Sequence, residues 1–250
     1  PSNLGVEGEL PSHPELLEWL ACELVESGWS LKHIHRLILC SAVYRQDAAC
    51  PPETYRIDPE NRLFSRWNRQ RLTAEMFRDS LLRLSDNLNS RMYGPAFQPS
   101  IPRDAIFNRD GDDVDATWPT DVVERPEVWR RGIYILRRRT NPVPLLQLFD
   151  APERTFSCTQ RSTTTLSTQA LALWNSEFVR VQSAHIAASV HRMSTTDDET
   201  AIVEYLFPHL LGRDVDPEES GRATSFLRQG GTLADLCQVL LMTNEFWYVE

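Results

Sequence analysis

A chain of 250 residues with 41% hydrophobic and 24% charged residues has an ordinary globular composition, long enough to bury a core as one large domain or two modest ones. Its formal net charge of −9 argues against a nucleic-acid binder, because phosphate neutralisation needs a basic face. No apolar run approaches the roughly 20 residues of a membrane helix, and "PSNLGVEGELPSHPELL" opens without an initiator Met or a basic-then-apolar leader, so the chain reads as a piece of a longer protein.

In "PSHPELLEWLACELVESGWS", Ser12 with Glu15 three residues on spells a capping box, and Pro14 falls in the first turn. Leu16, Leu17, Leu20, Leu24 and Val25 share a helical face, and Gly28 stops the helix. Ser30 caps a second helix carrying Leu31, Ile34, Leu37 and Ile38, and so short a link predicts an antiparallel hairpin. His33 and His35, two apart, point to different faces, so they cannot form an H-E-x-x-H zinc pair and read as structural or surface residues. A third helix is expected from after Thr73 to about Leu88, through Phe77, Leu81 and Leu84.

Residues 93–129 are rich in Pro and acid and show no sustained period, as an irregular functional or disordered insertion would. Asp110, Asp112, Asp113 and Asp115 cluster oxygens of the kind calcium prefers, but the EF-hand spacing fails. A solvated acidic loop is the default there and calcium the weaker reading. Trp118 and Trp129 either pin this loop to the core or offer a sugar-binding face. "RRGIYILRRR" reads as extended, with Gly132–Arg137 the candidate minor strand.

The least ordinary stretch is "DAPERTFSCTQRSTTTLSTQALALWNSEF". From Thr155 to Thr168, nine of fourteen residues carry a hydroxyl, and a helix is expected from Ser167 to a break near Asn175. Cys158 is a nucleophile only if a cation or helix N-terminus stabilises its thiolate; Arg161 stands three residues away, yet no histidine is near in sequence. The competing account makes the hydroxyls local backbone partners, with Arg161 binding carbonyls or the Asp150 carboxylate. Asp150, Cys158, Arg161, Gln169 and Asn175 are therefore the candidate residues of a structural or ligand clamp, and the clamp is preferred to catalysis.

The last fifty residues carry three helical patterns. Gly212 ends the first, which contains Pro208; Asp216-Pro217 starts the second; and Gly230-Gly231 with Thr232 divides the second from the third. The expected architecture is mainly α: a main helical domain over 1–195 with an irregular insertion at about 93–129, and a C-terminal helical subdomain over 196–250. Five cysteines at wide gaps contain no C-x-x-C and no C-x-x-C-H, so no cofactor is expected in this chain. Cys22, Cys40 and Cys237 sit at apolar-periodic positions, where a buried thiol is the default. Twenty-five Arg stand against the single Lys32. Bidentate anion recognition would use such an excess, though GC-rich codon usage explains it more simply. There is no G-x-S-x-G and no phosphate-cradling glycine loop.

Four blocks carry a family resemblance: "SHPELLEWLACELVESGWSLKHIHRLILCSAVYRQ", "DPENRLFSRWNRQRLTAEMFRDSLL", "FDAPERTFSCTQRSTTTLSTQALALWNSEFV" and "LLGRDVDPEESGRATSFLRQGGTLADLCQVLLMTNEFWYV". In this order they resemble the planctomycete-specific C-terminal domain of unknown function of large secreted proteins that often carry c-type cytochrome domains upstream. The resemblance implies an extracytoplasmic location (periplasm or cell surface), a multidomain parent, and haem c only in neighbouring domains. Two functions follow as expectations. The first is a non-catalytic scaffold or interaction domain, docking on other domains of its parent or on a cell-surface protein or polysaccharide. The second is part of an extracytoplasmic carbohydrate-active or redox enzyme working with the upstream cytochrome.

Overall fold

The computed structural model describes residues 6–101, 118, 125–138, 142–153, 157–194 and 198–249. They form eleven α-helices and two strands of two residues each, a mainly α protein as expected. The chain divides into two compact units, one of residues up to Gln70 with the final two residues, the other Arg71–Tyr248. The helices that follow residue 198 thus share a unit with those from Arg71 onward, while the division falls earlier, at Gln70.

In the first unit, α1 (Pro14–Glu26) and α2 (Leu31–Cys40) form a hairpin. Gly28 at φ +70° and Trp29 at φ +63° reverse the chain, and the Trp29 N–H closes on the Leu24 carbonyl at 2.8 Å. Ser30 caps α2 as expected, accepting from the His33 N–H. The capping box at Ser12 does not form: His13 is the N-cap of α1, and no side chain bonds into the first turn. His33 Nε2 meets Glu23 Oε1 at 2.6 Å and ties the two helices together. After α3 (Pro52–Ile57) the chain knots around polar side chains instead of apolar ones. Asp58 accepts from the Arg62 and Leu63 N–H groups at 2.9 and 2.7 Å. Arg66 donates to the Asp58 and Pro59 carbonyls at 2.8 and 2.7 Å and lies over the Tyr55 ring.

The second unit holds the core. Two strands, β1 (Gln70–Arg71) and β2 (Tyr248–Val249), pair, and the Leu72 N–H reaches the Trp247 carbonyl at 2.8 Å. Thr73 then caps α4 (Ala74–Leu84), which ends one turn before Leu88 because Asp86 takes the left-handed conformation at φ +58°. Gly132–Tyr134 is a 3-10 turn, and the extended character expected there survives only as a parallel bridge between Phe97 and Ile135. Gly132 is needed for close approach: a Cβ there would lie 3.1 Å from the Glu75 Cβ. Trp118 is fully buried, its indole N–H on the Pro99 carbonyl at 3.1 Å, and Trp129 is buried too. Both pin the chain to the core and neither is a sugar-binding face. The acidic run Asp110, Asp112, Asp113 and Asp115 lies outside the described residues.

A short helix α5 (Pro144–Leu148) precedes the hydroxyl-rich stretch. Beyond it come α6 (Ser167–Trp174) and α7 (Glu177–Met193), broken at Asn175–Ser176 as expected. Then follow α8 (Glu199–Leu211), α9 (Pro217–Arg228), α10 (Leu233–Leu241) and the single turn α11 (Asn244–Trp247). Gly212 ends α8 at φ +73°, and Asp216 with Glu219 forms the capping box of α9. The long helix α7 packs against α10, α8 and α4, burying Val179, Ile186 and Val190. At the centre Phe77, Trp247 and Phe149 stack, with the Trp247 centroid 4.1 and 4.4 Å from its neighbours. All five cysteines are free. Cys237 is fully buried, and that burial pushes its thiol up to about 12. Cys22 and Cys40 are exposed, contrary to expectation, because no residue of α1 or α2 is buried.

Candidate functional site

The hydroxyl-rich stretch meets the rest of its unit at a polar clamp beside the aromatic stack. The end of α5 places Asp150 in the left-handed region, φ +58°, which a short polar side chain tolerates better than most. From there both carboxylate oxygens face Thr164, which donates its N–H at 2.8 Å and its hydroxyl at 2.9 and 3.0 Å. The Thr164 carbonyl accepts from Arg71, whose other terminal nitrogen donates to Gln169 Oε1 at 2.9 Å. Gln169 is buried and takes up its remaining capacity locally. Its Oε1 accepts from the Leu166 N–H at 3.2 Å, and its Nε2 donates to the Leu148 carbonyl at 2.9 Å. The Arg71 guanidinium lies 5.1 Å over the Trp247 ring and 5.4 Å over Phe149. One planar cation thus fastens a loop, a helix start and the core, a task that needs the fork of arginine.

Of the candidate residues, Asp150 and Gln169 belong to this clamp. Arg161, expected as its anchor on Asp150 or on carbonyls, instead pairs with Glu75 at 2.8 and 3.3 Å, with 39% of its side chain exposed. The cause is geometric: the Asp150 oxygens already face Thr164, and Glu75 on the first turn of α4 offers a free carboxylate. Asn175 is given to the end of α6, its amide on the Leu171 carbonyl at 3.0 Å. Cys158 is exposed and its thiol meets the Gln160 carbonyl at 3.3 Å. Of the stretch's hydroxyls, Thr164 does most of the fastening, and most of the others described face solvent. Arg71, Glu75 and Thr164 were not foreseen as site residues. Arg71 and Thr164 lie far apart along the chain, with no local pattern joining them.

Next to the clamp opens a cavity of about 540 Å³ lined by Asp150, Cys158 and Arg161 together with Arg137, Val143 and Leu146. No histidine is among its described lining residues. Glu75 pairs with the cavity's Arg161. Burial works against its ionisation, but the hydrogen bonds and charge of Arg161, with the charge of Arg137, hold its carboxyl below the usual range. Asp79, a turn further along α4, behaves oppositely: burial pushes it up although the Gly132 N–H reaches it at 2.6 Å. Among the described residues, no group of three His, Cys, Asp or Glu is placed to hold a metal ion, and no helix is long and apolar enough to cross a membrane.

Arginine clamps recur. Arg78, buried in α4, donates to the Arg130 and Val128 carbonyls at 2.7 and 2.5 Å between the Phe97 and Phe178 rings. Arg130 donates to the Pro95 and Tyr93 carbonyls and lies 4.1 Å over Tyr134. Arg213 holds both Glu219 and Glu245. Whatever the origin of the arginine excess, these positions use the planar fork in a way lysine cannot reproduce.

Fold and site together define an all-α helical domain, clamped by arginine and carrying a cavity beside its central clamp. The chain belongs to the family described as PSD1, a protein of unknown function (DUF1553), whose profile matches residues 1–227. No curated protein and no solved structure matches it.

Proposed function

We propose that this chain is a non-catalytic helical scaffold and interaction domain of a larger extracytoplasmic protein, of the planctomycete kind that pairs such a domain with a c-type cytochrome. The observation that carries the reading is the α1–α2 hairpin. Leu16, Leu17, Trp19, Val25, Leu31, Ile38 and Leu39 are each between 41 and 62% exposed, and neither helix buries a residue within the chain. So many exposed apolar side chains on one helical pair call for a covering partner. A helical pair joined by one short link recovers the entropy of its ordering only when such a face is covered. The clamp supports the same reading, because the terminal nitrogens of Arg71, the Asp150 carboxylate and the Gln169 amide are taken up in structural bonds.

The partners in this reading are the other domains of the parent protein, with a cell-surface protein or polysaccharide as the external alternative. The extracytoplasmic setting and the haem of a neighbouring domain rest on the family resemblance. Hydrogen exchange on this chain and on its full-length parent tests the proposal. Amides of residues 14–40 should exchange fast in the chain alone and be protected in the parent; equal exchange in both overturns it. The alternative, part of a carbohydrate-active or redox enzyme, is favoured by one observation, the cavity that gathers Asp150, Cys158 and Arg161.

A further inference from the structure

We propose that the cavity beside Asp150 binds a small organic carboxylate, with Arg137 taking its charge and Val143 and Leu146 its apolar body. At about 540 Å³ the cavity falls within the roughly 300–1,000 Å³ typical of small-ligand sites. Its lining combines the apolar side chains of Val143, Leu146 and Pro152 with the guanidinium groups of Arg137 and Arg161. Both cations are held in place. Arg161 is gripped by the two oxygens of Glu75, and Arg137 donates from one terminal nitrogen to the Pro152 carbonyl at 3.1 Å.

The donors favour an anion: in charge the three lining arginines are balanced by Asp150, Glu153 and the adjoining Glu75, but the Arg137 fork has donors beyond the one given to Pro152. The single carboxylate of Glu75 serves two guanidinium groups, as its lowered pKa reflects. The carboxylate of Asp150, though it lines the same space, is already met by Thr164. Arg138 and Glu153 also border the cavity with opposite charges, and each is engaged already. A guanidinium has five N–H donors in a flat fork; Arg137 commits one nitrogen to Pro152, and the rest of the fork matches the two oxygens of a carboxylate. A lining that joins apolar side chains to a preset fork suits an acid with an aliphatic or aromatic body better than a bare inorganic anion. The proposal stands apart from the docking role of the hairpin, since no residue is shared.

Cys158 supplies the reporter, because its exposed thiol lines the cavity. The full chain is labelled with N-ethylmaleimide, and each cysteine is followed by peptide mass spectrometry in the presence of benzoate, benzamide or sulfate. Benzoate at about ten times its Kd should slow labelling of Cys158 about tenfold by mass action. Exposed Cys22 and Cys40 should label at unchanged rates, and Arg137→Gln should remove the protection. Buried Cys237 stays unlabelled while the variant is folded; if Arg137→Gln labels there, the comparison of the three probes on the unaltered chain decides alone. No protection by benzoate overturns the proposal, and so does equal protection by benzamide or by sulfate.

Discussion

Arg71 and Arg161 carry the same charge, and the structure gives them different weights. Removing Arg71 takes the charged donor from the Thr164 carbonyl and from Gln169 Oε1, leaving them the longer bonds at 3.2 Å from Gln169 Nε2 and the Leu166 N–H, and each hydrogen bond to a charged group contributes about 1.5–3 kcal/mol. Arg71→Ala should therefore destabilise the protein by about 2–4 kcal/mol, and Arg71→Lys should recover less than half, because a point charge cannot bridge both acceptors. Arg161 makes a partly exposed ion pair with Glu75, so Arg161→Ala should cost less than about 1 kcal/mol. Urea denaturation of the three variants checks the order, and a larger loss for Arg161→Ala than for Arg71→Ala would refute the clamp as described. Both arginines sit within the family blocks, yet sequence favoured the one inside the hydroxyl-rich stretch, because proximity along the chain was the only distance it offered.

At the scale of elements, the helix ends follow local chemistry. The Asp216–Glu219 capping box starts α9, and Glu219 also receives both terminal nitrogens of Arg213, at 2.7 and 2.8 Å. The Arg213 hydrogen bonds, against a smaller opposing effect of burial, hold the Glu219 carboxyl at about 2. A carboxyl depressed in the folded state stabilises the protein fully above its unfolded value of roughly 4.3 and loses that contribution as pH falls toward the folded value. The α9 junction should thus weaken between those two limits, with a modest amplitude because the pair is partly solvated. In acid titrations followed by thermal melting, Glu219→Gln should flatten this part of the stability profile. An unchanged acid limb in that variant would remove Glu219 from the account.

Across the whole molecule, the two units differ in what holds them. In Arg71–Tyr248, a contiguous core from Ala74 to Trp247 is closed by the aromatic stack and by helix packing around α7. In the unit up to Gln70, the buried residues among those described are Ala48, Asp58, Asn61 and Arg66, so polar bonds dominate. Burial of apolar area is the main favourable contribution to folding, and local opening begins where it is least. Limited proteolysis of the chain should therefore cut within the first 70 residues while a fragment beginning near Arg71 survives. Cleavage inside α7 before any cut in α1 or α2 would contradict this order. The same contrast underlies the proposal that the hairpin docks on a partner.

What the sequence determined by itself was the local grammar: helices after Ser30 and Thr73, the break at Asn175, the stop at Gly212, the start at Asp216 and the division at Thr232. Each follows from side chains bonding backbone within a few residues, or from a φ that glycine accepts, and such bonds need no knowledge of the rest of the fold. Periodicity likewise placed Leu16, Leu20, Leu24 and Cys22 on helices without error of type. It could not say whether anything covers those helices, and Cys22 and Cys40 turned out exposed while Cys237 is buried. Only tertiary structure decided that. It also decided that Arg71 and not Arg161 grips the Thr164 loop, and that Arg137 meets Asp150, Cys158 and Arg161 around one cavity. These contacts join distant parts of the chain, where partner choice depends on which surfaces the core has already brought together.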